Sequence, residues 1–226
     1  MRVLGIDTAT WTASVGLCDR DRVLAEQFLP AEGTHGSTLL PLIDATLAAA
    51  GANKRDLGGV AVSIGPGSFT GLRVALATAK GLSLALDLPL IGVRTLRALA
   101  LAADVENGFV CPMLDARKGE IYTALFELRG GEATQLHHEV AVPLDRWLPV
   151  VGDGPCTFIG DAVAMIAGSP RPNWTVLPFT RFHPRGGIVA RLGWQRLERG
   201  DTDDTAALEP FYVRPSEAEL KAQPRP

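Results

Sequence analysis

The sequence predicts an α/β chain built as two lobes that share one order of elements, and three observations predict it. Residues 60–86 read as strand, tight glycine turn and helix in immediate succession, the unit of an α/β crossover. The order strand, Asp-led polar turn, alternating strand, short turn, returning strand occurs at residues 3–29 and again at 110–142. With 226 residues, 46% hydrophobic and 21% charged, the chain can bury a substantial core in one large domain or two lobes.

Residues 3–6 form an apolar strand that ends in the polar turn Asp7-Thr8-Ala9-Thr10. Residues 12–18 alternate, with Ala13, Val15 and Leu17 on one side, as in a half-buried strand. Asp19-Arg20-Asp21 turns the chain and residues 23–29 pair back. A helix is expected over 37–50, with Ser37 as its cap, Pro41 near its first turn, and Leu39, Ile43, Leu47 and Ala50 on one face. Residues 60–64, β-branched and too short for a helix, are a buried strand that Gly65, Pro66 and Gly67 end. Ser68 or Thr70 then caps a helix running to Leu86. A short strand at 90–93 and a helix at 95–103 close the first half.

The second half opens with an apolar strand at 110–114 that ends in Asp115-Ala116-Arg117-Lys118-Gly119. Residues 120–128 alternate, Arg129-Gly130-Gly131 turns, and 135–142 return. A strand at 157–159, a short helix near 162–167, a last strand at 174–177 and an amphipathic helix over 187–199 follow. The first lobe is expected to span 1–103, a smaller second lobe 104–214, and a mobile tail 215–226. This duplicated order is that of a ribonuclease-H-like fold, the architecture of actin, sugar kinases and heat-shock ATPases, with a reduced second lobe.

The helix over 69–86 is unusual. Apart from Arg73 and Lys80 it has almost no polar side, and Gly71, Ala75 and Ala79 recur at helical spacing. A helix that is apolar all round is buried on more than one face. One face is expected on the sheet, and the small residues admit a second backbone, from this chain or from a partner protein. Arg73 and Lys80 argue against a membrane span.

A net charge of −3 excludes a strong uniform basic field, so contact with RNA needs a partner or a local patch. Cys18, Cys111 and Cys156 lie far apart with no C-x-x-C, which supports neither a disulfide framework nor a zinc knuckle. Met1-Arg2 runs straight into a strand, so a cytoplasmic protein without a signal peptide is expected. Asp7, with Thr8 and Thr10 beside it, has two readings: a carboxylate that accepts N–H bonds within its own turn, or a contact to metal-bound phosphate. Gly65, Gly67 and Ser68 precede a helix N-terminus suited to an anion, but no lysine follows as in G-x-x-x-x-G-K-[ST]. No tightly bound cofactor is expected, and weak ATP or ADP binding at the cleft between the lobes stays open. His35, His137, His138 and His183 lack metal-ligand spacing, and no nucleophilic set forms around Ser63 or Ser68.

The run from Ile64 to Arg73, I-G-P-G-S-F-T-G-L-R, with A-T-A-K-G-L from Ala77 to Leu82, resembles the TsaB-type family of tRNA threonylcarbamoyladenosine biosynthesis proteins. So do G-I-D-T-A-T from Gly5 to Thr10, His35 with L-L-P-L-I from Leu39 to Ile43, L-D-A-R-K-G-E-I-Y from Leu114 to Tyr122, and P-F-Y-V-R from Pro210 to Arg214. The resemblance implies a non-catalytic paralogue of the transferase TsaD. That transferase carries a metal-binding histidine pair where this chain has Thr95 and Leu99. It further implies an essential subunit that binds and activates TsaD, helps recruit the ATPase TsaE, forms a homodimer when TsaD is absent, and serves a complex whose substrate is tRNA. An independent ATP-dependent phosphotransferase of the sugar-kinase-like superfamily is the alternative. The family's partner face maps here to Leu39, Ile43 and Leu47 on one helix and Gly71, Val74, Ala75, Thr78, Ala79 and Leu82 on the other. Ala75→Arg or Ala79→Glu is then expected to leave the protomer folded and to break the complex.

Overall fold

The computed structural model describes residues 1–31, 33–168 and 171–214; the tail expected at 215–226 lies outside the described residues. Two five-stranded mixed sheets carry the fold. The first contains β1 (Arg2–Asp7), β2 (Thr12–Asp19), β3 (Arg22–Pro30), β4 (Leu57–Gly65) and β5 (Leu90–Arg94) in the order β3-β2-β1-β4-β5. The second contains β6 (Asn107–Arg117), β7 (Glu120–Arg129), β8 (Glu132–Pro143), β9 (Cys156–Ile159) and β10 (Trp174–Val176) in the order β10-β9-β6-β7-β8. In each sheet the first strand pairs antiparallel with the next in sequence and parallel with the fourth. The two sheets are therefore copies in topology, the duplicated ribonuclease-H-like arrangement that the repeated order predicts.

Among the described residues, five α-helices fill the spaces that the sheets leave. Two of them, α1 (His35–Ala49) and α2 (Phe69–Leu86), pack on one face of the first sheet through Leu39, Ile43, Leu47, Ala75, Leu76 and Ala79. The helix α3 (Thr95–Leu101) lies against the second sheet. A short α4 (Leu144–Val151) and a 3-10 segment, Val163–Gly168, cover that sheet's other face, over Met113, Ile121 and Phe158. The last helix, α5 (Gly186–Glu198), returns to the first sheet and packs on β1, β2 and β4. One continuous core joins Val3, Cys18 and Ala61 of the first sheet to Val110, Leu114 and Phe126 of the second, with α3 and α5 between them.

The docking of α5 follows from glycine and from unmet N–H groups. A Cβ at Gly16 would lie 2.2 Å from the Gly187 nitrogen, so strand and helix meet backbone to backbone. The first N–H groups of a helix have no partner within it. Here Gly186 N–H donates to Ser14 Oγ at 2.9 Å and Gly187 N–H to Glu26 Oε1 at 2.7 Å. The sheet itself caps the helix.

The structure departs from the sequence reading at several points. The expected second lobe, 104–214, contains α5, which the structure sets on the first sheet. With α5 on one face and α1 on the other, β2 is buried along both faces rather than one. The first helix starts at His35, not after a Ser37 cap, because the Ser37 and Thr38 hydroxyls donate back to Thr34 O at 3.1 and 2.9 Å. The short helix near 162–167 is a 3-10 segment, and α4 was not foreseen.

Candidate functional site

A cleft of about 780 Å³ opens between the two sheets. The β1–β2 turn, the loop between β4 and α2, and the start of α1 supply Thr10, Trp11, Gly67, Ser68 and His35 to one wall. The β6–β7 hairpin and the residue after Gly160 supply Asp115, Arg117, Tyr122 and Asp161 to the other.

The six anion candidates divide evenly. Thr10, Gly67 and Ser68 line the cleft, whereas Asp7, Thr8 and Gly65 do not. Asp7 is buried, takes a hydrogen bond from Ser63 Oγ, and accepts one from the Ala9 N–H at 3.0 Å. Burial raises its pKa against the lowering effect of those bonds. Of its two readings, the carboxylate that organises its own turn is the one the geometry presents. Thr8 Oγ1 donates to Gly71 O at 2.7 Å and so ties that turn to α2.

At two of its glycines the loop between β4 and α2 lies tight against its own chain. A Cβ at Gly67 would lie 2.4 Å from Ala9 O, and one at Gly65 would lie 2.4 Å from Phe211 O. Ser68 N–H donates to Ala9 O at 2.7 Å, and Ser68 Oγ caps α2 by accepting from Gly71 N–H at 3.3 Å. Thr95 Oγ1 accepts from Gly65 N–H at 3.0 Å and Leu99 is fully buried, so both side chains face the interior.

On the opposite wall, Asp161 Oδ1 accepts from Asp115 N–H at 2.9 Å. Burial pushes the Asp161 carboxyl up to about 6. Asp115 Oδ1 accepts from Arg117 N–H at 2.7 Å. His35, also buried, lies across the cleft with its Nε2 bonded to Thr10 O at 3.0 Å. The sequence alone singled out neither Asp161 nor Trp11. The one signal for Trp11 was a large aromatic in an otherwise small, polar turn.

The expected partner residues also divide, and most of them turn inward. Leu39, Ile43, Leu47, Gly71, Ala75 and Ala79 are buried in the protomer's own core. A Cβ at Gly71 would lie 1.9 Å from Thr8 O, so the small residue there admits the turn after β1. Val74, Thr78 and Leu82 are half-buried. The outward face carries Leu40, 52% exposed, and Leu84, 74% exposed, with Phe69 and alanines such as Ala45 and Ala77. Ala75→Arg and Ala79→Glu would therefore strike the core first. Among the described residues α2 is the one helix long and apolar enough to cross a membrane; a third of it is buried in the protein. Arg73 and Lys80 on it bond to Tyr212 Oη and Ala206 O.

Residues 29–168 match the family model described as TsaD, tRNA N6-adenosine threonylcarbamoyltransferase. The chain is 30% identical over 227 residues to the tRNA threonylcarbamoyladenosine biosynthesis protein TsaB of Bacillus subtilis, covering 98% of this chain and 97% of that protein. The solved structure of YeaZ from Pseudomonas aeruginosa superposes with a TM-score of 0.83 at 26% identity, over 93% of this chain and 99% of that one. Component A of the (R)-2-hydroxyglutaryl-CoA dehydratase of Acidaminococcus fermentans shares the fold alone, at 10% identity, a TM-score of 0.54, and coverage of 88% and 99%.

Proposed function

This chain belongs to the TsaB family of tRNA threonylcarbamoyladenosine biosynthesis proteins, and from that premise we propose that it works there as a non-catalytic subunit. In this reading it binds and activates a TsaD-type transferase, helps recruit a TsaE-type ATPase, and pairs with a second copy of itself when the transferase is absent. Its site of action is the cytoplasm and its complex acts on tRNA.

The observation that carries the reading is the outer face of α1 and α2. Leu40 and Leu84 stand exposed on two helices whose other faces are already packed, and exposed leucines there favour a protein contact. The absence of a catalytic role is supported by Thr95 and Leu99, which face the core, and by a glycine loop packed closely on the Ala9 and Phe211 backbones. The same packing, with no lysine at the helix start, disfavours the alternative, an independent ATP-dependent phosphotransferase. Weak nucleotide binding is confined, in this reading, to the open part of the cleft near Thr10 and Ser68 or to the complex interface.

The test is tRNA threonylcarbamoylation with transferase, ATPase, ATP, tRNA and the threonylcarbamoyl-adenylate source present throughout. This chain is omitted, added, or replaced by Leu84→Glu or Leu40→Glu. Modification is expected to require the chain and to fall by at least about ten-fold with either variant. Full modification by the transferase alone would overturn the reading.

A further inference from the structure

Beside Trp11, adjoining the cleft already described and sharing Trp11 and Asp161 with it, lies a pocket of about 530 Å³ lined also by Phe179, Trp174, Val176 and Ile166. We infer that this pocket seats one base of a single-stranded RNA, with the chain of aromatic rings that leads away from it stacking the next. The inference stands apart from the subunit role above, since none of these rings lies on the outer face of α1 and α2.

The size suits a base or nucleoside, being within the range of small-ligand pockets. Trp11 is 41% exposed at its mouth, with the Phe179 ring 5.1 Å away and tilted 48°. Large aromatic faces held in water at the rim of a concave site are an energetic loss until a flat ligand covers them.

One polar group bears on the choice of ligand. Asp161 lines the pocket with a carboxylate whose Oδ1 already accepts from Asp115 N–H at 2.9 Å. Its other oxygen can accept from an exocyclic amino group of a heterocyclic base, which a plain aromatic side chain lacks.

The surroundings favour a strand over a free nucleotide. From Phe179 the ring contacts continue to His183 at 6.4 Å and from His183 to Phe28 at 4.1 Å. Phe28 is itself 49% exposed. The segment supplying Phe179 and His183, residues 179–185, reads F-T-R-F-H-P-R, with aromatic and basic side chains interleaved. Arg171, a lining residue, lies over Trp174 at 4.7 Å, so a guanidinium borders the pocket; Arg181 is exposed and lies over Phe182 at 5.9 Å, a ring half-buried against the core. Arg171 and Arg185 are ion-paired with Asp153 and Glu26. Binding should thus rest on stacking more than on charge, with a shallow salt dependence.

The experiment titrates the full chain into a fluorescein-labelled single-stranded RNA of about nine nucleotides and reads anisotropy. The same RNA annealed to its complement and unlabelled AMP as competitor are the other arms. The single strand is expected to bind at least about ten-fold tighter than the duplex. Trp11→Ala and Phe179→Ala, with melting curves like the parent, should each weaken it by about ten-fold, and Trp11→Phe should restore part of the loss. Three results would overturn the proposal: no binding of the single strand at low salt, equal binding by parent and both alanine variants, or AMP quenching Trp fluorescence while the RNA leaves it unchanged.

Discussion

The guanidinium of Arg94, at the end of β5, sits 3.1 Å from the centroid of the Phe211 ring and pairs with Glu139 on β8. Three elements distant in sequence meet there, one from each sheet and one from the C-terminal segment. That segment continues the bridge. Phe211 N–H donates to Ile64 O at 2.7 Å, Tyr212 stacks on Phe69, and Arg214 pairs with Glu120 and donates to Ala116 O at 2.7 Å.

Removing the ring of this bridge is expected to cost about 1–2 kcal/mol. Phe211→Ala should lower the urea midpoint accordingly. Arg94→Ala should cost more, about 2–3 kcal/mol, since it leaves Glu139, whose side chain is 3% exposed, without its cation. Glu139→Gln on that background should recover part of the loss.

Asp161 predicts a pH dependence. Its folded value of about 6 lies above the ordinary 3.8, so the protonated form favours the folded state. That contribution is complete below about 3.8 and is lost as pH rises through about 6. Asp161→Asn should therefore leave stability near pH 4 unchanged and raise it near pH 7 by up to about 3 kcal/mol. Urea titrations of both proteins across that range check it; parallel curves would refute the burial of this carboxyl.

The inward stripe of α2 and its outward face should respond oppositely to charge. Ala75→Arg and Ala79→Glu bury an unpaired ion at fully enclosed positions and are expected to prevent folding or cost more than about 3 kcal/mol. Leu84→Glu should stay within about 0.5 kcal/mol of the parent in a thermal melt.

At Thr95 the hydroxyl is the acceptor for a buried N–H. Thr95→Val keeps the volume and strands the Gly65 donor, at a cost of about 1–3 kcal/mol, while Thr95→Ser should be close to neutral. Chemical denaturation separates the two.

Much of the fold was legible because periodicity and punctuation agreed. Residues 57–86 carry a β-branched run, a glycine turn and a Ser68 cap, and the structure has β4, that turn and α2 there. The orientation of α2 was not legible. When nearly every position is apolar, sequence does not say which stripe meets the sheet, and the deciding contact is the Thr8 carbonyl against Gly71, 63 residues away in the chain. The short α4 was missed for a local reason: it follows Pro143, contains Pro149 and has no side-chain cap. Of the cleft, Thr10, Gly67 and Ser68 were readable from motif. Asp161 and Trp11 gained meaning only when the two sheets were set side by side.

The return of α5 to the first sheet sets an order of events during synthesis. The strands through residue 65 leave the ribosome well before residues 186–198 exist, so the face carrying Val3, Cys18 and Ala61 waits uncovered. At roughly 5–20 residues per second the wait is on the order of ten seconds. During that interval the nascent chain displays an apolar sheet face together with the Ser14 and Glu26 acceptors meant for α5.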